Sequence, residues 1–220
     1  MRGFVIVLLS ALAACGGEDR PAGDCVPADT DRLLPYAVGY SWTYEVTNID
    51  TQETSTKTQS VLREMDNPDD GMPVMVQETN KVEGRTVSWM RTEGEALIRL
   101  QQEDYDPAGA LERTTVYDPG KIRLDESAER VAAGASFDES YTAVIYDPAG
   151  IETAREARTE QWQVLSVGQP CPGDFADYDC LQIQRARVGT PAKIFWFAPG
   201  IGKVRETGGQ IEQLTACSLE

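Results

Sequence analysis

The chain has 220 residues, with 36 Asp and Glu against 20 Lys and Arg, and carries a formal charge of −16. It contains no histidine, so it lacks the proton shuttle of Ser-His-Asp and Cys-His nucleophiles and a ligand of every histidine-containing zinc site. Acidity of this size repels nucleic acid and anionic headgroups. Paired-carboxylate chemistry, lysine chemistry and oxygen-ligated metals remain open, and neither a cofactor nor a metal is expected.

Met1-Arg2 is followed by an apolar run from Gly3 through Ala14, the layout of a secretory signal. As a helix this run covers about 18 Å, too little for a hydrocarbon core of about 30 Å. It ends in Leu12-Ala13-Ala14-Cys15, which resembles the lipobox of bacterial lipoproteins. The resemblance implies that Cys15 is acylated and becomes the new N-terminus. In those lipoproteins an Asp after the cysteine favours inner-membrane retention, and Gly16 in that place implies outer-membrane sorting.

Cysteine parity agrees with a modified Cys15. Five cysteines leave one over in an exported chain. Without Cys15, the remaining Cys25, Cys171, Cys180 and Cys217 allow three pairings. The short "CPGDFADYDC" favours Cys171 with Cys180, because Pro-Gly turns the chain back on itself. Cys25 with Cys217 would then staple the start of the domain to its end. The stretch "GGEDRPAGD" after Cys15 has nothing to bury and reads as tether. The expected organisation is a signal peptide over 1–14, a lipidated cysteine and flexible tether over 15–33, and a β-domain over 34–220.

Strand signals dominate from Tyr40 onward. In "SWTYEVT", Trp42, Tyr44 and Val46 alternate with polar residues, the period of a strand with one wet face. Similar runs lie around 54–63, 73–80, 85–92, 95–101, 111–117, 138–146, 151–167, 178–188, 192–198, 203–206 and 210–216. Only two short helices are expected, near 29–34 and 125–132. "YDPAG" at 105–109, "YDPG" at 117–120 and "YDPAG" at 146–150 read as β-turns, with Asp first, Pro fixing φ second and Gly closing. "DNPDDG" at 66–71 reads as a hairpin tip.

A weak internal repeat is visible. "VGYSWTYEV" from Val38 parallels "AGASFDESY" from Ala133, and each is followed later by a strand carrying a tryptophan, Trp89 and Trp196. The fold class is therefore mainly β, a curved antiparallel sheet or half-barrel built of two related β-units, with little helix.

"KIFWFAPGIGKVRE", 193–206, is apolar on both faces, with Ile194 and Trp196 on one and Phe195 and Phe197 on the other. Such a strand is either covered on both sides or lines an apolar cavity. Together with "VGYSWTYEV" it resembles a group of bacterial lipoproteins whose ends read G-x-x-W-x-Y and W-[FY]-A-x-G-[IV]-G-x-V-[KR]. A more distant likeness is to the LolA-like and LppX-like half-barrels that hold lipids or lipid anchors. The resemblance implies a fold and an address and supplies no catalytic residues.

The leading functional expectation is a membrane-tethered, non-catalytic lipoprotein that binds a hydrophobic ligand or an envelope protein partner, with no nucleic acid involved. Its candidate contact residues are Trp42, Trp89, Phe195, Trp196 and Phe197. A carboxylate-based hydrolase of cell wall or polysaccharide is the alternative, and a structural envelope component is the third reading. Two carboxylates facing each other about 5 to 10 Å apart in an open groove would mark the hydrolase. An enclosed apolar pocket beside Trp196 and Phe197 would mark ligand carriage.

Overall fold

The computed structural model describes residues 25–220. The signal segment, Cys15 and residues 16–24 lie outside the described residues.

Twelve antiparallel strands follow one another around a closed barrel: β1 (Ser41–Asn48), β2 (Thr54–Asp66), β3 (Pro73–Lys81), β4 (Gly84–Glu93), β5 (Ala96–Tyr105), β6 (Leu111–Asp125), β7 (Ser136–Tyr146), β8 (Glu152–Pro170), β9 (Asp179–Arg187), β10 (Thr190–Ala198), β11 (Gly202–Thr207) and β12 (Gln210–Ser218). The sheet curves as expected and curves all the way round. β1 pairs with β12 from Ser41↔Ser218 to Asn48↔Gln210, so neither terminal strand is left as an open edge. Among the described residues, helix is confined to one turn, α1 (Ala128–Val131), and one 3₁₀ turn at Gly173–Phe175. Residues 29–34 form bends, not the expected helix.

Two of the three Tyr-Asp-Pro phrases form hairpin turns, where Asp106 and Asp147 accept the backbone N–H groups of Gly109 and Gly150. The third does not. "YDPG" at 117–120 lies inside β6, where the β5 partner slips between Arg99↔Lys121 and Gln101↔Val116. Gly120, at φ 142°, sits at this bulge with Ile98 and Leu100 side chains close by. Pairing with β7 stops at Asp118↔Thr142, so the second half of β6 leaves its neighbour. The freed N–H of Ile122 donates to the Glu139 carboxylate of β7 at 2.5 Å, and Ile122 and Leu124 pack with Trp162 and Phe137 to fill the seam.

The two phrases of the internal repeat open β1 and β7, six strands apart. Gly39 and Gly134 both have positive φ, 96° and 76°. One residue on, the carbonyls of Tyr40 and Ala135 each accept an N–H of the following strand, from Val61 and Val164, at 2.8 Å in both cases.

The barrel ends differ. Residues 25–40 cross the end that holds the β10–β11 turn: Ala28 N–H donates to Gly200 at 2.8 Å, and Gly200 N–H returns to Arg32 at 2.8 Å. The Glu126 carboxylate takes the N–H groups of Leu33 (2.7 Å) and Leu34 (3.2 Å) and Arg32 Nε (3.0 Å). Tyr36 reaches inside to Gln77 Oε1 at 2.9 Å. Residues 25–33, expected as part of a flexible tether, are thus a strap over the barrel end. Cys25 bonds Cys217 and Cys171 bonds Cys180, with Cα separations of 4.8 and 5.1 Å. On the outer wall over β3–β5, Arg85 bonds Glu78 and lies over the Tyr105 ring, and Tyr105 bonds Glu103, with Val76, Val87 and Trp89 on the same phase.

Candidate functional site

Twelve strands enclose a wider lumen than the eight that side chains alone can fill. At the strapped end the lumen is packed by Leu34, Tyr36, Trp42, Met90, Leu97 and Phe197, which leave only about 40 Å³ of space. Trp42 Nε1 donates to the Ile201 carbonyl at 2.6 Å and Tyr44 to the Lys203 carbonyl at 3.1 Å, so both rings have satisfied polar ends.

Toward the opposite mouth, formed by the hairpins after β1, β3, β5, β7, β9 and β11, the lumen is open. Its cavity of about 340 Å³ is faced by Lys57, Lys81, Arg99, Arg123, Arg185 and Lys193, against the carboxylates of Glu83, Glu206 and Glu212. A chain of charge −16 has turned a surplus of cations inward.

Some of these charges are neutralised by neighbours. Glu206 and Glu212 are direct cross-strand partners on β11 and β12. Lys203 Nζ donates to both, at 2.5 Å each; Lys193 adds a bond to Glu206 and Lys57 one to Glu212. Burial disfavours charge on Glu206, but Lys203 and Lys193 outweigh it and hold the carboxyl far below its usual range. Glu212 is lowered in the same way by Lys203 and Lys57. Burial, aided by the nearby Lys203 charge, pushes Lys57 down to about 7 against the pull of Glu212.

A second group surrounds Glu160, which accepts from Lys121 Nζ at 2.8 Å and Tyr141 Oη at 3.0 Å. Arg185 lies 3.6 Å from its other oxygen and over the Trp162 and Phe195 rings, at 5.4 and 5.0 Å from the centroids.

Arg99 and Arg123 differ from these. Among the described residues neither has a carboxylate partner. Arg99 is oriented by a bond to Gln102 Oε1, and Gln102 is held by Asp104 at 2.8 Å, but the buried Nε of Arg99 meets no acceptor. Arg123 faces both parts of the lumen. Burial and the adjacent Arg123 push the Arg99 guanidinium down to about 10.

The aromatic candidates divide by strand phase. Trp42, Phe195 and Phe197 face the lumen, and Phe195 lies at the boundary of its packed and open parts. Trp196, between Phe195 and Phe197, points away from it and packs in the cluster that holds Phe175 and the Cys171–Cys180 bond. Trp89 alternates with the lumen-facing Met90, which puts its ring on the outer wall. Sequence reading missed the charged lining. In β2, "TSTKTQS" is polar on both phases, so no alternation marks Lys57 as inward. In "KIRL", alternation favours burying Ile122 and Leu124 over Arg123; because β6 leaves β7 there, both phases are covered.

No protein-family model matches the sequence, and no curated protein matches it. Among solved structures, a Bacteroides fragilis protein described as exported and of YMCC-like fold gives a TM-score of 0.49 at 11% identity, over 84% of this chain and 98% of its own. A Parabacteroides distasonis protein described as a lipoprotein gives 0.36 at 11% identity, over 86% and 100%. At these levels neither likeness bears on ligand or location.

Proposed function

We propose that this chain is an exported lipoprotein, anchored in the outer membrane through Cys15, that holds a small anionic solute inside its barrel without making or breaking bonds. The observation that carries this reading is the open, cation-lined half of the lumen in a strongly acidic chain. Interior charge without counter-ions is costly, and a bound anion offsets that cost. The anchor and address come from Leu12-Ala13-Ala14-Cys15 and Gly16. Cys25, ten residues beyond the lipid position, is bonded at the strapped end, so the tether leaves from the end opposite the mouth.

The lumen favours an anion over the hydrophobic ligand suggested by the aromatic strand, because the aromatic rings are packed and the open space is polar. Glu206 and Glu212 have the cross-strand placement of a hydrolase pair. Both are held ionised by lysines, however, and glycoside cleavage needs one carboxyl protonated to serve the leaving group. Glu139 and Glu160 are shifted apart, but both are buried, bonded to Ile122, Trp162, Lys121 and Tyr141, and neither faces the open cavity.

Fractionation and native mass spectrometry of the chain purified from its own envelope test the reading. Wild type should sediment with outer membranes and carry a non-covalent small-molecule mass, and Cys15→Ser should be exported but soluble. Membrane association unchanged in Cys15→Ser would refute the anchor, and an empty barrel in every gentle preparation would refute solute binding.

A further inference from the structure

We infer that Arg99 and Arg123 form a receptor for one oxyanionic group, a phosphate ester or a carboxylate, carried on a hydroxyl-rich body. This deepens the proposed solute-binding role and rests on it.

The two guanidiniums come from neighbouring strands, β5 and β6, and face the same cavity. The other deep cations already have carboxylates: Lys57, Lys193 and Lys203 share Glu206 and Glu212, and Lys121 and Arg185 share Glu160. Arg99 is aimed by Gln102 yet retains a buried Nε–H with nothing to bond. A guanidinium presents planar forks that match the paired oxygens of phosphate or carboxylate, which a lysine ammonium does not. Two such forks side by side repel one another when empty and converge on an anion when filled.

The body of the ligand is set by the rest of the wall. Ser55, Gln59, Thr79, Thr86 and Gln210 line the same cavity with hydroxyls and amides, of which Thr86 also bonds Asp104 and Gln210 bonds Glu212. Such groups pair with alcohols and gain nothing from an acyl chain. Below the arginines the lumen has about 40 Å³ left, room for about one water. No tail can pass deeper, so the anionic group is the deepest part of the ligand and the polar body extends toward the mouth.

Titration calorimetry on the mature full chain in non-ionic detergent tests this, with glucose 1-phosphate, glucuronate, glucose, inorganic phosphate and decyl phosphate as probes. Binding of glucose 1-phosphate or glucuronate is expected, with the better of the two naming the oxyanion. Glucose should not bind, and decyl phosphate should bind no tighter than inorganic phosphate. Arg123→Gln should weaken the oxyanion at least about tenfold, a charged hydrogen-bond's worth, and should melt at a higher temperature than wild type because the charge beside Arg99 is gone. Arg99→Lys, which keeps the charge and loses the fork, should also weaken binding, and Arg155→Gln on an exposed ion pair should not. Equal oxyanion affinity in wild type and Arg123→Gln, glucose binding as well as its phosphate, decyl phosphate binding far tighter than inorganic phosphate, or no oxyanion binding at all would each overturn the inference. An anionic solute held equally by wild type and Arg123→Gln would overturn it while leaving the barrel an anion-binding site, and a neutral solute would overturn both. An empty barrel together with silent titrations would remove both.

Discussion

Glu139 and Glu160 stand directly opposite each other on β7 and β8, and their carboxyls are pushed in opposite directions. Burial and the neighbouring Glu160 charge raise Glu139 against its bond to Ile122. Burial also opposes charge on Glu160, but Arg185 and Lys121 outweigh it. Glu160→Gln leaves those two cations without a counter-ion and should cost about 3–5 kcal/mol in urea unfolding. Glu139→Gln keeps an oxygen for the Ile122 N–H and removes a like charge, but sets an amide NH2 against the Trp162 Nε1–H that the other carboxylate oxygen accepts at 3.3 Å, so it should cost about 1–3 kcal/mol, less than Glu160→Gln. Equal costs would show that Glu160 is not the counter-ion of this group.

The lumen's ion pairs set a pH profile. Glu206 and Glu212 have folded-state values below the unfolded range, so their stabilisation is present above about pH 4.5 and is lost as pH falls through the lower folded values. Lys57 and Lys121 are lowered to about 7, chiefly by burial. Between about 7 and 10.5 the unfolded chain therefore binds more protons than the folded one, and stability should rise with pH there. Melting temperature measured from pH 3 to 10 should climb out of acid and climb again above 7. Lys57→Met with Lys121→Met should flatten the second rise, and a fall above pH 7 in wild type would contradict it.

One carboxylate holds the middle of the strap, between the Cys25–Cys217 bond and the Tyr36–Gln77 contact. Glu126 takes two backbone N–H groups and Arg32. Glu126→Ala should cost about 1–3 kcal/mol by leaving those donors unpaired. Hydrogen exchange should quicken at Leu33 and Leu34 before the strands. Unchanged exchange there would mean the strap is held elsewhere.

Cys25–Cys217 closes a span of 192 residues. Chain entropy alone assigns such a closure about 5 kcal/mol, and measured bridges typically give about 2–4. Cys25→Ser with Cys217→Ser should lower urea stability within that range. Loss of less than about 1 kcal/mol would show that the β1–β12 pairing already fixes the ends.

Strands such as β1 were legible because one phase is apolar, as in Trp42, Tyr44 and Val46. Closure was not, since no local pattern tells β1 that β12 is its neighbour. The "YDPG" of β6 shows the limit of turn chemistry: Asp-Pro-Ala-Gly turns a hairpin at 106–109, whereas the similar Asp-Pro-Gly at 118–120 lies at a bulge beside β5. Of the site, Phe195 and Phe197 were visible as an odd two-faced strand. Arg99 and Arg123 were not, because a cation lining water inside a barrel has the same sequence signature as one on the outside.

The most direct measurement is a crystal structure of the chain isolated from its own envelope and crystallised without phosphate, sulfate or carboxylate buffers. The expected result is an oxyanion bridging the guanidiniums of Arg99 and Arg123, with a polar body reaching toward the mouth. Ordered water alone between the two side chains would contradict it.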